Sequence, residues 1–184
     1  MKRYMLSFLG IVTGVLLLTS CAFKGRRSGF TDDLQGAANK TAKRLVDALN
    51  SSDNAQIEAL FSKNLRNETE TFSQDVTELL AFIGGKIVSF ADAGEAYSGG
   101  EINYGKKREV IKSSFSLETE TQRYLVAISE CTMDETDRDN TGLLSICIIN
   151  AMDWKVSYVY RGNGEHTRGI HIMYSDSVDD LYEP

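Results

Sequence analysis

The sequence predicts an α+β fold, three N-terminal helices packed on a curved antiparallel sheet, and two observations carry that prediction. Between about residues 31 and 83 the apolar residues recur at the helical period; from Lys86 onward they recur at the period of two that belongs to strands. Helices followed by a run of strands, rather than alternating with them, segregate to one face of an antiparallel sheet.

In the first helix Leu34, Ala38, Thr41, Leu45 and Ala48 or Leu49 form one stripe, with Thr31 or Asp32 as N-cap and a polar turn over residues 47–53 as its end. Asp53 followed by Gln56 fits a capping box that opens a second helix, whose Ile57, Leu60, Phe61 and Leu65 share a face. Asn67 with Glu70 opens the third. There Phe72, Val76, Leu79, Leu80 and Ile83 make the stripe, and Gly84 and Gly85 stop it.

Strands follow. Ile111, Phe115 and Leu117 share a face in "VIKSSFSL", as do Tyr124, Val126 and Ile128 in "YLVAIS"; "GLLSICIIN" is apolar on both faces and reads as a central strand. Turns are expected at "SGGE", "ETETQ" and "DETDRDNTG". The concave face of such a sheet, roofed by the first helix, is where a pocket is expected.

Ahead of the fold, Lys2 and Arg3 precede an apolar stretch over residues 5–18, 14 residues long, which is short of the roughly 20 that a spanning helix needs. The sequence "LTSC" that ends it resembles the lipobox of bacterial lipoproteins, in which the cysteine thiol is acylated before cleavage. The expected organisation is a signal peptide over residues 1–20, a lipidated flexible tether over 21–30 beginning at Cys21, and a single domain over 31–184. The other reading is an ordinary secretory signal in which Cys21 is incidental. Pro184 is the one proline, and no internal repeat or interior linker marks a second domain.

The formal charge is −6; cleavage after residue 20 removes Lys2 and Arg3 and no acid, which makes it −8. An acidic body without a basic stripe excludes nucleic acid as a partner. The expected location is the extracytoplasmic face of the cell membrane. The expected partners are the membrane, through the lipid, and an envelope protein or a small extracytoplasmic ligand.

The segments "IEALFSKNLRNETETFSQDVTELLAFIGGKIVSF", "YLVAIS", "GLLSICIIN" and "GNGEHTRGIHI" resemble a family of small Gram-positive lipoproteins of unknown function, itself similar to the cystatin-like, nuclear transport factor 2-like superfamily. The resemblance covers roughly residues 35–174. It implies a scaffold and no chemistry, because that superfamily hosts isomerases, dehydratases, transport factors and binding modules.

Candidate chemical groups each have a structural alternative. Residues 137–142, "DRDNTG", carry Asp, Asp and Gly at the first, third and sixth positions of a calcium loop, but Ile148 stands where a bidentate Glu is required; a solvated hairpin turn accounts for them. His166 and His171 are five apart and would face opposite sides of a strand, so no metal site is expected. Gly162, Gly164 and Gly169 read as turn residues, and "GNG" precedes no helix, so no phosphate-binding loop or other cofactor is expected. Cys131 and Cys147 flank the acidic turn, where a disulfide across the hairpin and two buried thiols are both open.

Lys106, Lys107 and Arg108 read as a solvated strand start or as a basic patch for headgroups or an acidic partner. Trp154, Tyr158 and Tyr160 alternate as a strand face lining core or pocket. These residues point to a non-catalytic binding or interaction module. The alternative is an enzyme of the isomerase or dehydratase kind, with Asp92 or Glu95 as base and Tyr97 or Tyr104 stabilising an oxyanion.

Overall fold

The structure, a computed structural model, describes residues 29–154 and 168–173. Residues 1–28, and with them the signal, Cys21 and most of the tether, lie outside the described residues, as do Tyr158, Tyr160, Gly162, Gly164 and His166. The described part is α+β: four helices precede an open, mostly antiparallel sheet in which six strands are described.

Helix α1 (Gly29–Ser51) starts two residues before the expected cap, and its stripe is buried as the spacing predicts: Ala38, Thr41, Leu45 and Leu49 are all at most 5% exposed. Both ends of α1 grip backbone. The Asn50 amide accepts from Ile87 N–H at 2.8 Å and donates to Ile87 O at 3.0 Å, and Gln35 Oε1 accepts from Ala96 N–H at 2.8 Å.

The expected second helix is two short ones, α2 (Asn54–Glu58) and α3 (Lys63–Glu68). Its apolar stripe survives: Ile57, Phe61 and Leu65 are buried. The helix is interrupted because residues 60–62 pair with the start of β5, Leu143 N–H donating to Leu60 O at 2.9 Å and Ser62 N–H to Leu143 O at 3.0 Å. Gly142, at φ 124°, permits that approach, since a Cβ there would stand 2.9 Å from Ser62 N. Asp53 caps α2 by accepting from Ala55 N–H, but Gln56 bonds the Asp53 carboxylate instead of closing the box on its backbone. Ser62 caps α3. Asn67 lies inside α3, so it opens nothing; α4 (Phe72–Ile83) starts after Thr71 and ends at Gly84 in the left-handed conformation.

The strands are β1 (Ile87–Asp92), β2 (Tyr97–Asn103), β3 (Lys106–Thr119), β4 (Arg123–Asp134), β5 (Gly142–Asn150) and β6 (Gly169–Met173). β1 and β2 follow one another along the same edge of β3, pairing with its C-terminal and N-terminal parts, and the order continues β3, β4, β5, β6. The turn expected at "SGGE" is wrong: those residues are the middle of β2, and the chain reverses at Tyr104 (φ 50°) and Gly105 (φ 80°), two positive-φ residues as a tight primed turn requires. The turns at "ETETQ" and "DETDRDNTG" are as expected. β6 departs from the antiparallel expectation by running parallel to β5; residues 151–168 between them supply the length that a parallel connection needs.

The central position of β5 is as expected, between β4 and β6 and buried on both faces. Ile146 and Ile148 join Val126, Ile128, Phe115 and the helices in the main core; Cys147, Ile149 and Met173 form a second cluster with Leu125 and Ala127.

Candidate functional site

The sheet face under α1, where a pocket was expected, is filled by side chains: Ile111, Phe115, Val126 and Ile128 are at most 5% exposed and pack with Ala38, Leu45 and Leu49. A charged groove of about 500 Å³ lies instead at the opposite end of the hairpins, between α3, the acidic turn, the β2–β3 hairpin and the segment entering β6.

One wall is a row across three strands. Glu101 pairs with Arg108, and Arg108 with Asp134, so the three side chains share a face. The Arg108 guanidinium stands 3.5 Å from Glu101 Oε1 through Nη1 and 3.7 Å from Asp134 Oδ2 through Nε. Asp134 organises the acidic turn: Oδ1 accepts from the N–H groups of Thr136 (2.8 Å) and Asp137 (3.0 Å), and Oδ2 accepts from Asn140 Nδ2 at 3.0 Å. Burial pushes its carboxyl up, but these hydrogen bonds and the Arg108 charge outweigh burial and hold it below the usual carboxylate range.

Asn140, in a 3₁₀ turn (Arg138–Asn140), links the other walls. Its Oδ1 accepts from Asn64 Nδ2 on α3 at 3.0 Å and from Arg168 Nη2 at 3.2 Å, while Arg168 Nη1 reaches Glu68 Oε2 at 3.1 Å. Lys106 completes the lining. The groove thus holds three cations and four carboxylates, and one network joins the four carboxylates with Arg108 and Arg168, an arrangement suited to a polar partner bearing charges of both signs.

The calcium-loop carboxylates do not converge. Asp137 accepts from Asp139 N–H and from Asn64 Nδ2, and Asp139 pairs with Lys63 at 2.7 Å. Ile148 is buried in β5. No group of three or more His, Cys, Asp or Glu able to hold a metal is present among the described residues.

The register separates the two cysteines: Cys131 stands opposite Gly142 and Cys147 opposite Ala127, because the turn is centred so that the strands slide past the expected pairing. Both thiols are free and buried. Burial pushes the Cys147 thiol up to about 12 and raises Cys131 as well, the latter partly offset by Arg108. His171 stands on β6 opposite Cys147.

Asp92, Glu95, Tyr97 and Tyr104 are all exposed, at the end of β1, before β2, on β2 and at the hairpin tip; none of them lines the groove. Lys106 and Lys107 are solvated as expected, Lys106 at the rim of the groove, and Arg108 turns into it. Trp154 is 38% exposed. Asp134, Asn140, Asn64, Glu68 and Arg168 were not legible as a set, since they meet only through the sheet order; the density of polar side chains in "DETDRDN" was their one local signal.

Residues 44–151 match a family described as a domain of unknown function, DUF5104. No curated protein matches the chain.

Proposed function

The chain belongs to the DUF5104 family, whose match runs from within α1 to the residue after β5, and from that premise we propose that it is a lipid-anchored, non-catalytic binding module of the cell envelope. Its anchor is Cys21, its scaffold is of the nuclear transport factor 2-like kind, and its binding face is the charged groove. The groove is the observation that carries this reading: charged side chains from four separate segments are held at one opening, while the helix-covered face is packed solid. The scaffold assignment is supported by two short strands sharing the outer edge of a long third strand, with α1 across the sheet. The partner is an envelope protein or a small extracytoplasmic ligand, polar and carrying both charges, and not nucleic acid.

Photocrosslinking in cells that make the full chain tests the binding face. A photoreactive side chain at Thr136, in the groove, is expected to yield a discrete adduct that one at Gln74, exposed on α4, does not; equal or absent adducts at the two positions would overturn the reading. The anchor is tested separately with Cys21→Ser, which is expected to leave unprocessed precursor or to release the protein. An unchanged membrane fraction with no acyl mass on the mature N-terminus would remove the anchor while leaving the groove untouched.

A further inference from the structure

We propose that β2 is a dimerisation edge, on which β2 of a second copy of this chain pairs antiparallel about Gly100 and joins the two sheets into one. Among the described residues only β3 pairs with β2, and the side chains of Tyr97 (59% exposed) and Ile102 (71%) show that the strand's faces are not covered over. Edge strands are usually guarded by lysine, proline or a bulge. The sequence of β2, "YSGGEIN", holds neither residue, and its seven-residue register with β3 runs without a shift.

The two glycines are the second observation. Neither Gly99 nor Gly100 has a positive φ; a Cβ at Gly99 would meet no atom within 4 Å, and one at Gly100 only Arg108 O at 3.5 Å. The chain's own fold therefore requires glycine at neither position, although each weakens a strand by about 0.5–1 kcal/mol. A glycine inside a strand often marks a bulge, a tight bend, or the close approach of a ligand or another backbone, and the unshifted register of β2 removes the bulge.

A second copy suits this edge by its register. Pairing about Gly100 sets Tyr97 against Asn103, Ser98 against Ile102, and Gly99 against Glu101, so no two like charges are directly opposed, and each Glu101 already has Arg108 beside it. The cations of β3 do not oppose the pairing. Lys112 and Lys106 of the two copies stand three strand spacings apart in that register, about 14 Å, beyond a Debye length of about 8 Å. The strip is one strand wide and about 23 Å long, less than a stable interface of about 1,600 Å² requires, so the dimer is weak in dilute solution and is best trapped covalently.

The test uses single cysteines in the full chain, oxidised in cells that make it. The native thiols Cys131 and Cys147 are buried, and Cys21 is common to all variants, so the unaltered chain sets the background. Gly100→Cys, which faces its own mate in this register, is expected to give a covalent dimer at least fivefold above Gln74→Cys. Two differently tagged chains, one with Ser98→Cys and one with Ile102→Cys, are expected to couple to each other more than either couples to itself. Coupling of Gly100→Cys no greater than that of Gln74→Cys, coupling to a different protein, or loss of the Ser98 and Ile102 preference would each overturn the proposal.

Discussion

Asn140 shows how much one side chain can hold: its amide joins α3, the acidic turn and the segment entering β6, and its partner Asp134 carries the hydrogen bonds that shape the turn. Asp134→Ala removes the acceptor of two backbone N–H groups and one amide in a site whose carboxylate is 5% exposed. The expected loss is about 2 kcal/mol, read from urea unfolding at pH 7. Because the folded carboxyl lies below its ordinary value, the unfolded chain binds the proton more readily, and the contribution is complete above the ordinary aspartate pKa of about 3.9. It is lost as pH falls through the folded value, so the difference between the native chain and the variant is expected to be constant from pH 7 to 5 and to shrink below about pH 4. A difference that grows on acidification would contradict this account.

At the scale of the element, local rules and long-range contacts divide the outcome. Asp53, Gly84 and the stripe from Phe72 to Ile83 act within one turn of their own helix, and they end up where the spacing puts them. The break between α2 and α3 is different, because it is made by β5, more than 80 residues away, through the two hydrogen bonds at Leu143. Gly142 is the residue on which that contact turns. Gly142→Ala combines a left-handed backbone with a Cβ inside contact distance of Ser62 N, Leu60 O and Phe61 C, and is expected to cost more than about 2 kcal/mol in chemical denaturation. Gly99→Ala, in open space at ordinary φ, is expected to change folding stability by less than about 1 kcal/mol in the same measurement. The misplaced turn has a comparable cause: "SGGE" has the composition of a turn, but β2 is stitched to β3 over seven pairs, and Tyr104 takes the positive φ for which its residue type gives no cue.

For the molecule as a whole, the described residues from Asp33 onward form one compact unit, in which the main cluster takes residues from α1 to α4 and from β1, β3, β4 and β5. Such a core loses its packing together. Unfolding monitored by far-ultraviolet and near-ultraviolet circular dichroism is expected to give coincident transitions, and separated ones would show that the helices and the sheet are independent. By itself the sequence determined the α+β class, the three helical stripes, the caps at Asp53 and Gly84, two of the three expected turns, and the acidic charge, because each is set by spacing or residue type within a few positions. Only the tertiary structure decided that the helix-covered face is filled, that β6 runs parallel to β5, that Cys131 and Cys147 stand four pairs apart, and that Asp134, Asn140 and Arg168 meet at one groove. These depend on strand order and register, and a shift of one residue in register would exchange the two faces of a strand without altering its pattern.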